Sequence, residues 1–166
     1  MKPPAIALED IRALGEPCLR LTVPESWQDA NAHMNIRWYV VIFDDAGDVL
    51  HDRLGLTPGF HRANQTGTMD LEHHINYVGE VMPGEEVSVY VRYVAASEKR
   101  LHYLMFLVNE SRGRLAAIFE CMNAFADLKT RRLAPFPRKT ALRISAAIQQ
   151  HERLHWAPPV SGAMKA

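Results

Sequence analysis

The segment Trp27-Gln28-Asp29-Ala30-Asn31-Ala32-His33-Met34-Asn35 gathers five polar side chains just ahead of the most regular apolar pattern in the chain. If a buried helix begins here, its first turn presents unpaired N–H groups and the positive end of its dipole. Such a place stabilises negative charge developing on an oxygen. A carboxylate a few residues upstream, Asp29, could deliver a nucleophilic oxygen or activate water at the same spot, an arrangement suited to acyl transfer. The plainer reading is that Asp29, Asn31 and Asn35 only cap the helix.

A second candidate is His151-Glu152-Arg153-Leu154-His155, the H-E-x-x-H spacing in which two histidines one helical turn apart bind zinc and the glutamate acts as base. Only eleven residues follow it, none of them a His, Asp, Glu or Cys that could complete a ligand set. In a chain with eight histidines so short a pattern also arises by chance. His73 and His74 are neighbours on an expected strand and face opposite sides, one of them toward the helix. The basic pairs Lys99-Arg100 and Arg131-Arg132 suit phosphate contact or plain solvation. No G-x-S-x-G, P-loop or G-x-G-x-x-G occurs, so serine-hydrolase, nucleotide-hydrolase and dinucleotide-fold readings lack support.

The elements that must position these residues are legible in part. Ile36, Tyr39, Val40, Phe43, Ala46, Leu50 and Leu54 recur at three- and four-residue steps, which predicts a helix over Asn35 to Leu54. Val41, Ile42 and Val49 widen the stripe, so the helix is mostly buried. A shorter helix is expected near Leu8–Leu14. Strands are expected at Cys18–Val23, Thr66–Val81, Glu86–Ala95, Leu101–Val108 and Arg114–Leu128, with Met82-Pro83-Gly84 as a turn. In Glu86–Ala95, Val87, Val89, Val91 and Tyr93 share one face, while Ser88, Tyr90 and Arg92 share the other. Leu101–Val108 is apolar on both faces apart from His102, so it needs cover on both, one side from the helix and the other from a further layer or a second subunit. One buried helix cannot serve as a crossover for every strand, so an antiparallel sheet wrapped around it is expected.

At 166 residues the chain has the length of one domain. Lys/Arg and Asp/Glu balance at 19 each, which argues against a general nucleic-acid binder. The balance is uneven along the chain: residues 1–90 hold 6 basic against 14 acidic side chains, and residues 91–166 hold 13 against 5. Such asymmetry marks either an anion site in the later half or pairing between the halves. No run is long enough to span a membrane, and no secretory-type leader is evident at the start. Cys18 and Cys121 read as buried free thiols, so a cytoplasmic protein is expected.

The string Val23-Pro24-Glu25-Ser26-Trp27-Gln28-Asp29-Ala30-Asn31-Ala32-His33-Met34-Asn35, followed by Tyr39 and Phe43, resembles the signature of hotdog-fold acyl-CoA thioesterases of the 4-hydroxybenzoyl-CoA thioesterase-like group. The likeness continues through Leu71-Glu72-His73-His74-Ile75-Asn76-Tyr77-Val78-Gly79-Glu80-Val81 and Pro83-Gly84-Glu85. Lys99-Arg100-Leu101-His102, Leu115-Ala116-Ala117 with Glu120, and Arg131-Arg132-Leu133-Ala134-Pro135-Phe136-Pro137 resemble the betainyl-CoA thioesterases of carnitine catabolism. Ala32 departs from the family, which usually has Gly there.

The resemblance implies an α+β hotdog fold, a five-stranded antiparallel sheet around one long helix, with a C-terminal helix added. Residues 1–15 would be a tail, 16–137 the hotdog domain, and 138–166 the C-terminal helix and tail. It implies hydrolysis of an acyl-CoA with Asp29 as nucleophile or general base, His33 and Asn35 orienting the loop, and amides around His33–Ile36 polarising the carbonyl. Trp27, Asn31, Met34, Ile36, Tyr39, His74, Tyr77, Lys99 and Arg100 would contact substrate. A trimethylammonium acyl head could rest on Trp27, Trp38 or Tyr77. No metal or redox cofactor and no nucleic-acid or membrane partner is expected, and the assembly would be a homodimer or homotetramer. A non-catalytic acyl-binding module and a zinc hydrolase built on His151 remain the alternatives.

Overall fold

Asn35 ends the polar loop and caps the long helix. Its Oδ1 accepts the Arg37 N–H at 3.2 Å, and its carbonyl accepts that of Trp38 at 3.0 Å. The helix, α2 (Ile36–Leu54), runs for 19 residues where the apolar spacing predicts it. Its end is set by Gly55 at φ +85°. The Gly55 and Leu56 amides donate back to the carbonyls of Asp52 and His51, each at 2.9 Å. That left-handed stop favours a residue without a Cβ.

The computed structural model describes residues 6–166. Around α2 the chain order is α1 (Leu8–Arg12) and β1 (Leu19–Thr22) before it, then α3 (Pro58–Asn64), β2 (Thr66–Tyr77), β3 (Glu86–Ala96), β4 (Arg100–Asn109), β5 (Arg114–Asp127), β6 (Arg132–Leu133) and α4 (Arg138–Glu152). The sheet order is β1-β3-β4-β5-β2, with β6 joined to β5. β1 meets β3 antiparallel in the register Leu19↔Val89 to Thr22↔Glu86. The five expected strands are all present, and the two-residue β6 adds to them. α3 was not expected from the sequence: Thr57 accepts the Phe60 amide and Pro58 opens the helix, a start signal too short to register as a periodic pattern.

The chain forms two compact units. The first takes Val49 and the residues before it, with Ile75–Val91 and Met105–Phe119; the second takes Leu50–His74, Arg92–Leu104 and Glu120 onward. In the first unit Phe43 stacks on Phe119 at 4.7 Å, and Tyr39 meets Tyr77 edge-on at 5.1 Å. Ile11 of α1 is fully buried, and Arg12 donates to Glu110 at 2.6 Å. The turn after Val81 is held by Glu85, whose carboxylate accepts from the Met82 amide, the Asn109 amide group and Arg112. Those donors together outweigh burial, which acts the other way, and hold the Glu85 carboxyl below its ordinary range. Glu85 with Arg112 also shows the later basic stretch pairing with the earlier acidic one.

In the second unit Leu50, Leu54 and Leu56 are buried, and the Thr140 hydroxyl of α4 donates to the Leu54 carbonyl at 3.1 Å. His102 and Glu120 form a buried pair at 2.8 Å. The second carboxylate oxygen of Glu120 accepts the Ser161 amide at 2.7 Å, which ties down the C-terminal stretch. Met164 is buried there too.

Both faces of β3 are buried: Ser88, Tyr90 and Arg92 are as buried as the valines opposite them. Likewise β4 is buried on both faces within a single chain. The terminal stretches also contribute buried residues, Ile11 and Met164.

Candidate active site

The loop ahead of α2 is a tight hairpin. Gln28 pairs antiparallel with Met34, and the Asp29 amide donates to the His33 carbonyl at 2.9 Å. The Ala32 amide returns to the Asp29 carbonyl at 3.1 Å, leaving Ala30-Asn31-Ala32 as the connection. Ala32 sits at φ +68°, the left-handed position that closes three-residue hairpins. A Cβ there costs about 1–2 kcal/mol, which glycine would avoid. Glycine also gains freedom in the unfolded chain, offsetting roughly 0.4–1 kcal/mol of that. Ala32→Gly is therefore expected to raise Tm by about 1–3 °C in thermal unfolding; a lowered Tm would show that the alanine conformation is not strained.

The hairpin is strapped on both sides. The Met34 amide donates to the Val81 carbonyl at 2.8 Å, and the Asn35 amide to the Trp27 carbonyl at 2.9 Å. Trp27 stacks flat on Trp38 with ring centroids 4.4 Å apart. The Arg37 guanidinium lies 5.6 Å from the Trp38 ring.

Within this frame Asp29 is partly exposed and one-sidedly bonded. Its Oδ1 accepts the Asn31 amide at 2.8 Å, an Asx turn. The same Oδ1 lies 3.5 Å from His33 Nδ1. The other oxygen, Oδ2, has no hydrogen bond among the described residues. His33 Nε2 faces Glu80 at 3.6 Å, so the imidazole stands between two carboxylates. Glu80 was not singled out as a site residue; its place in the resembling string was the only signal for it. The Tyr39 hydroxyl donates to the Gly79 carbonyl at a long 3.5 Å. Burial pushes the Tyr39 and Tyr77 hydroxyls above their ordinary range, so both are neutral phenols.

The capping explanation divides among the three residues. Asn35 is the cap, Asn31 turns its amide to Asp29, and Asp29 caps nothing. Of the four amides expected to polarise a carbonyl, those of Met34 and Asn35 are committed to backbone acceptors, which corrects that part of the expectation. The amides of His33 and Ile36 have no acceptor among the described residues. Trp27, Asp29, Asn31, His33, Met34, Asn35, Ile36, Tyr39 and Tyr77 all fall in the first unit. Met34 is buried at 3% exposure, whereas Ile36 is 61% exposed. His74, Lys99 and Arg100 are exposed residues of the second unit.

The zinc pattern is not formed as the sequence suggested. α4 stops at Glu152, so His151 and His155 do not share one helical face. His151 Nδ1 accepts the Tyr93 amide at 2.9 Å. Burial first, then the Arg92 charge, pushes the His151 imidazole below its ordinary range, and that cation also opposes a metal ion. Arg92 itself donates to the carbonyls of His151 and Trp156, which makes this corner an anchor for the end of α4.

The antiparallel sheet and its single long helix define an α+β fold of the hotdog class. The family model of the Thioesterase-like superfamily matches residues 23–144. The betainyl-CoA thioesterase of Pseudomonas aeruginosa is 31% identical over 132 residues, 80% of this chain and 82% of that one. A Staphylococcus aureus protein solved in complex with CoA superposes with a TM-score of 0.80 at 25% identity, over 89% of this chain and 93% of its own. A candidate thioesterase of Pseudomonas putida KT2440 gives 0.74 at 33% identity, over 90% and 95%. The chain belongs to the thioesterase-like superfamily. Acyl-CoA thioester hydrolysis is the activity that membership supports.

Proposed function

We propose that the chain hydrolyses the CoA thioester of a small quaternary-ammonium acid of the betaine type, with Asp29 as the reacting carboxylate. The observation that carries the assignment is the one-sided bonding of Asp29: Oδ1 is held by Asn31, and Oδ2 is left for chemistry. Acting as base, Oδ2 takes a proton from water while the new hydroxide bonds to the thioester carbon. Acting as nucleophile, Oδ2 forms a mixed anhydride, expelling CoA thiolate, and water then opens it. In either route the C–S bond breaks and the thiolate leaves with a proton. The N–H groups of His33 and Ile36, at the positive end of α2, face the charge that develops on the carbonyl oxygen. His33 holds the carboxylate from its Oδ1 side.

The acyl group is carried over from the Pseudomonas aeruginosa relative. Trp38 already carries Trp27 and Arg37 against its ring, so it is a poor seat for a second cation. Tyr77, 47% exposed, is the better candidate. Cation–π attraction of about 0.5–2 kcal/mol corresponds to a fall in kcat/KM of roughly 2- to 30-fold for betainyl-CoA in Tyr77→Ala. Turnover of the neutral isostere tert-butylacetyl-CoA should not change. Thiol release across an acyl-CoA panel tests the substrate class: preference for a straight-chain or aromatic acyl group over betainyl would overturn it.

We place a second copy of the chain against β2. This strand ends the sheet order and exposes Met69, Leu71 and Tyr77 by 51%, 45% and 47%. A long open edge that exposes such apolar side chains invites strand pairing. Light scattering at micromolar concentration should show at least twice 18.8 kDa, and a purely monomeric protein would refute the assembly.

A further inference from the structure

We infer that Asp70, His73 and Cys121 form a binding site for a divalent cation of the zinc type, which ties strand β2 to its neighbour β5. The donor atoms of Asp70, His73 and Cys121 all lie within 4.8 Å of one another. Asp70 Oδ2 stands 2.9 Å from His73 Nε2, and Asp70 Oδ1 accepts from Asn123 Nδ2 at 2.6 Å. Asn123 is only 2% exposed and turns its Nδ2 to the cluster, so it braces the Asp70 carboxylate as a neighbour and is not a ligand. The three donors make a set of one nitrogen, one sulfur and one oxygen, with a fourth position left to water.

The donor set selects the ion. Tetrahedral zinc with bonds of about 2.0–2.3 Å holds its ligands roughly 3.3–3.8 Å apart, so the cluster needs only small side-chain shifts. A thiolate with an imidazole disfavours magnesium and calcium, which seek six or more oxygens. Within one chain the Asp70 and His73 side chains are 31% and 36% exposed. On binding, the Cys121 S–H bond breaks, its proton passes to solvent, and the sulfur bonds to the metal. The ion is a structural tie in the second unit and takes no part in the Asp29 chemistry, which lies in the first.

The test uses the full chain, stripped with a chelator and titrated separately with zinc and cobalt. One zinc should bind per chain and survive dialysis, and Tm should rise with zinc but not with magnesium. Cobalt should give the intense thiolate-to-metal band of a sulfur ligand. His73→Gln, at an exposed position, should weaken zinc at least about tenfold, and Cys121→Ser should remove the cobalt band. His151→Ala should change neither. No retained zinc, a cobalt spectrum without the thiolate band, or unchanged affinity in His73→Gln would each overturn the site.

Discussion

Asp29→Asn is expected to lower kcat at least about a hundredfold while KM and Tm stay close to those of the parent. Asn keeps the size of the side chain and an Oδ1 that can still accept the Asn31 amide, so the Asx turn and hairpin survive. What is lost is the charge, the proton-accepting power and the nucleophilicity of Oδ2. Because Asn35 caps α2, helix capping offers no alternative route by which this change could act. Steady-state thiol release with a thermal melt of the same sample checks both halves of the expectation. A near-normal kcat would remove Asp29 from the chemistry while leaving the fold and family untouched. Hydrolysis in heavy-oxygen water under single-turnover conditions separates the two routes, since only a nucleophilic Asp29 incorporates the label.

The second large effect is on stability. Glu120 is 2% exposed and serves two donors, the His102 imidazole and the Ser161 amide. Truncating one member of such a buried pair costs about 3–5 kcal/mol, because the remaining polar groups stay buried without partners. Glu120→Ala is therefore expected to lower Tm by roughly 6–20 °C. Glu120→Gln keeps an acceptor for Ser161 and should lose far less. Hydrogen exchange at the Ser161 amide should accelerate in the alanine variant, because its acceptor is gone. If Glu120→Ala melts within a degree or two of the parent, the C-terminal stretch is not held by this pair.

The amino-acid sequence by itself determined the local and periodic features. The α2 stripe, the strands and the Pro83-Gly84 turn depend on side-chain period and on backbone preferences of single residues. Those are local properties, readable within a window of a dozen positions. The Asp29 loop was legible for a related reason, since five polar residues ahead of a buried helix are conspicuous without any contact map. The resemblance supplied the fold and activity, and the Ala32 departure already marked the position that proves to be left-handed.

Only the tertiary structure decided which groups meet across large separations in the chain. Glu80 comes to His33, Glu120 to His102 and Ser161, and Asn123 to Asp70, meetings that no local period encodes. The same holds for cover on the second face of β4, where the apolar pattern demands burial but is silent on what supplies it. It also separated Asn35 the cap from Asp29 the turn-former, two roles open to either residue type. The His151 pattern failed for the complementary reason: spacing implies a shared helical face only while the helix lasts, and α4 ends one residue after His151.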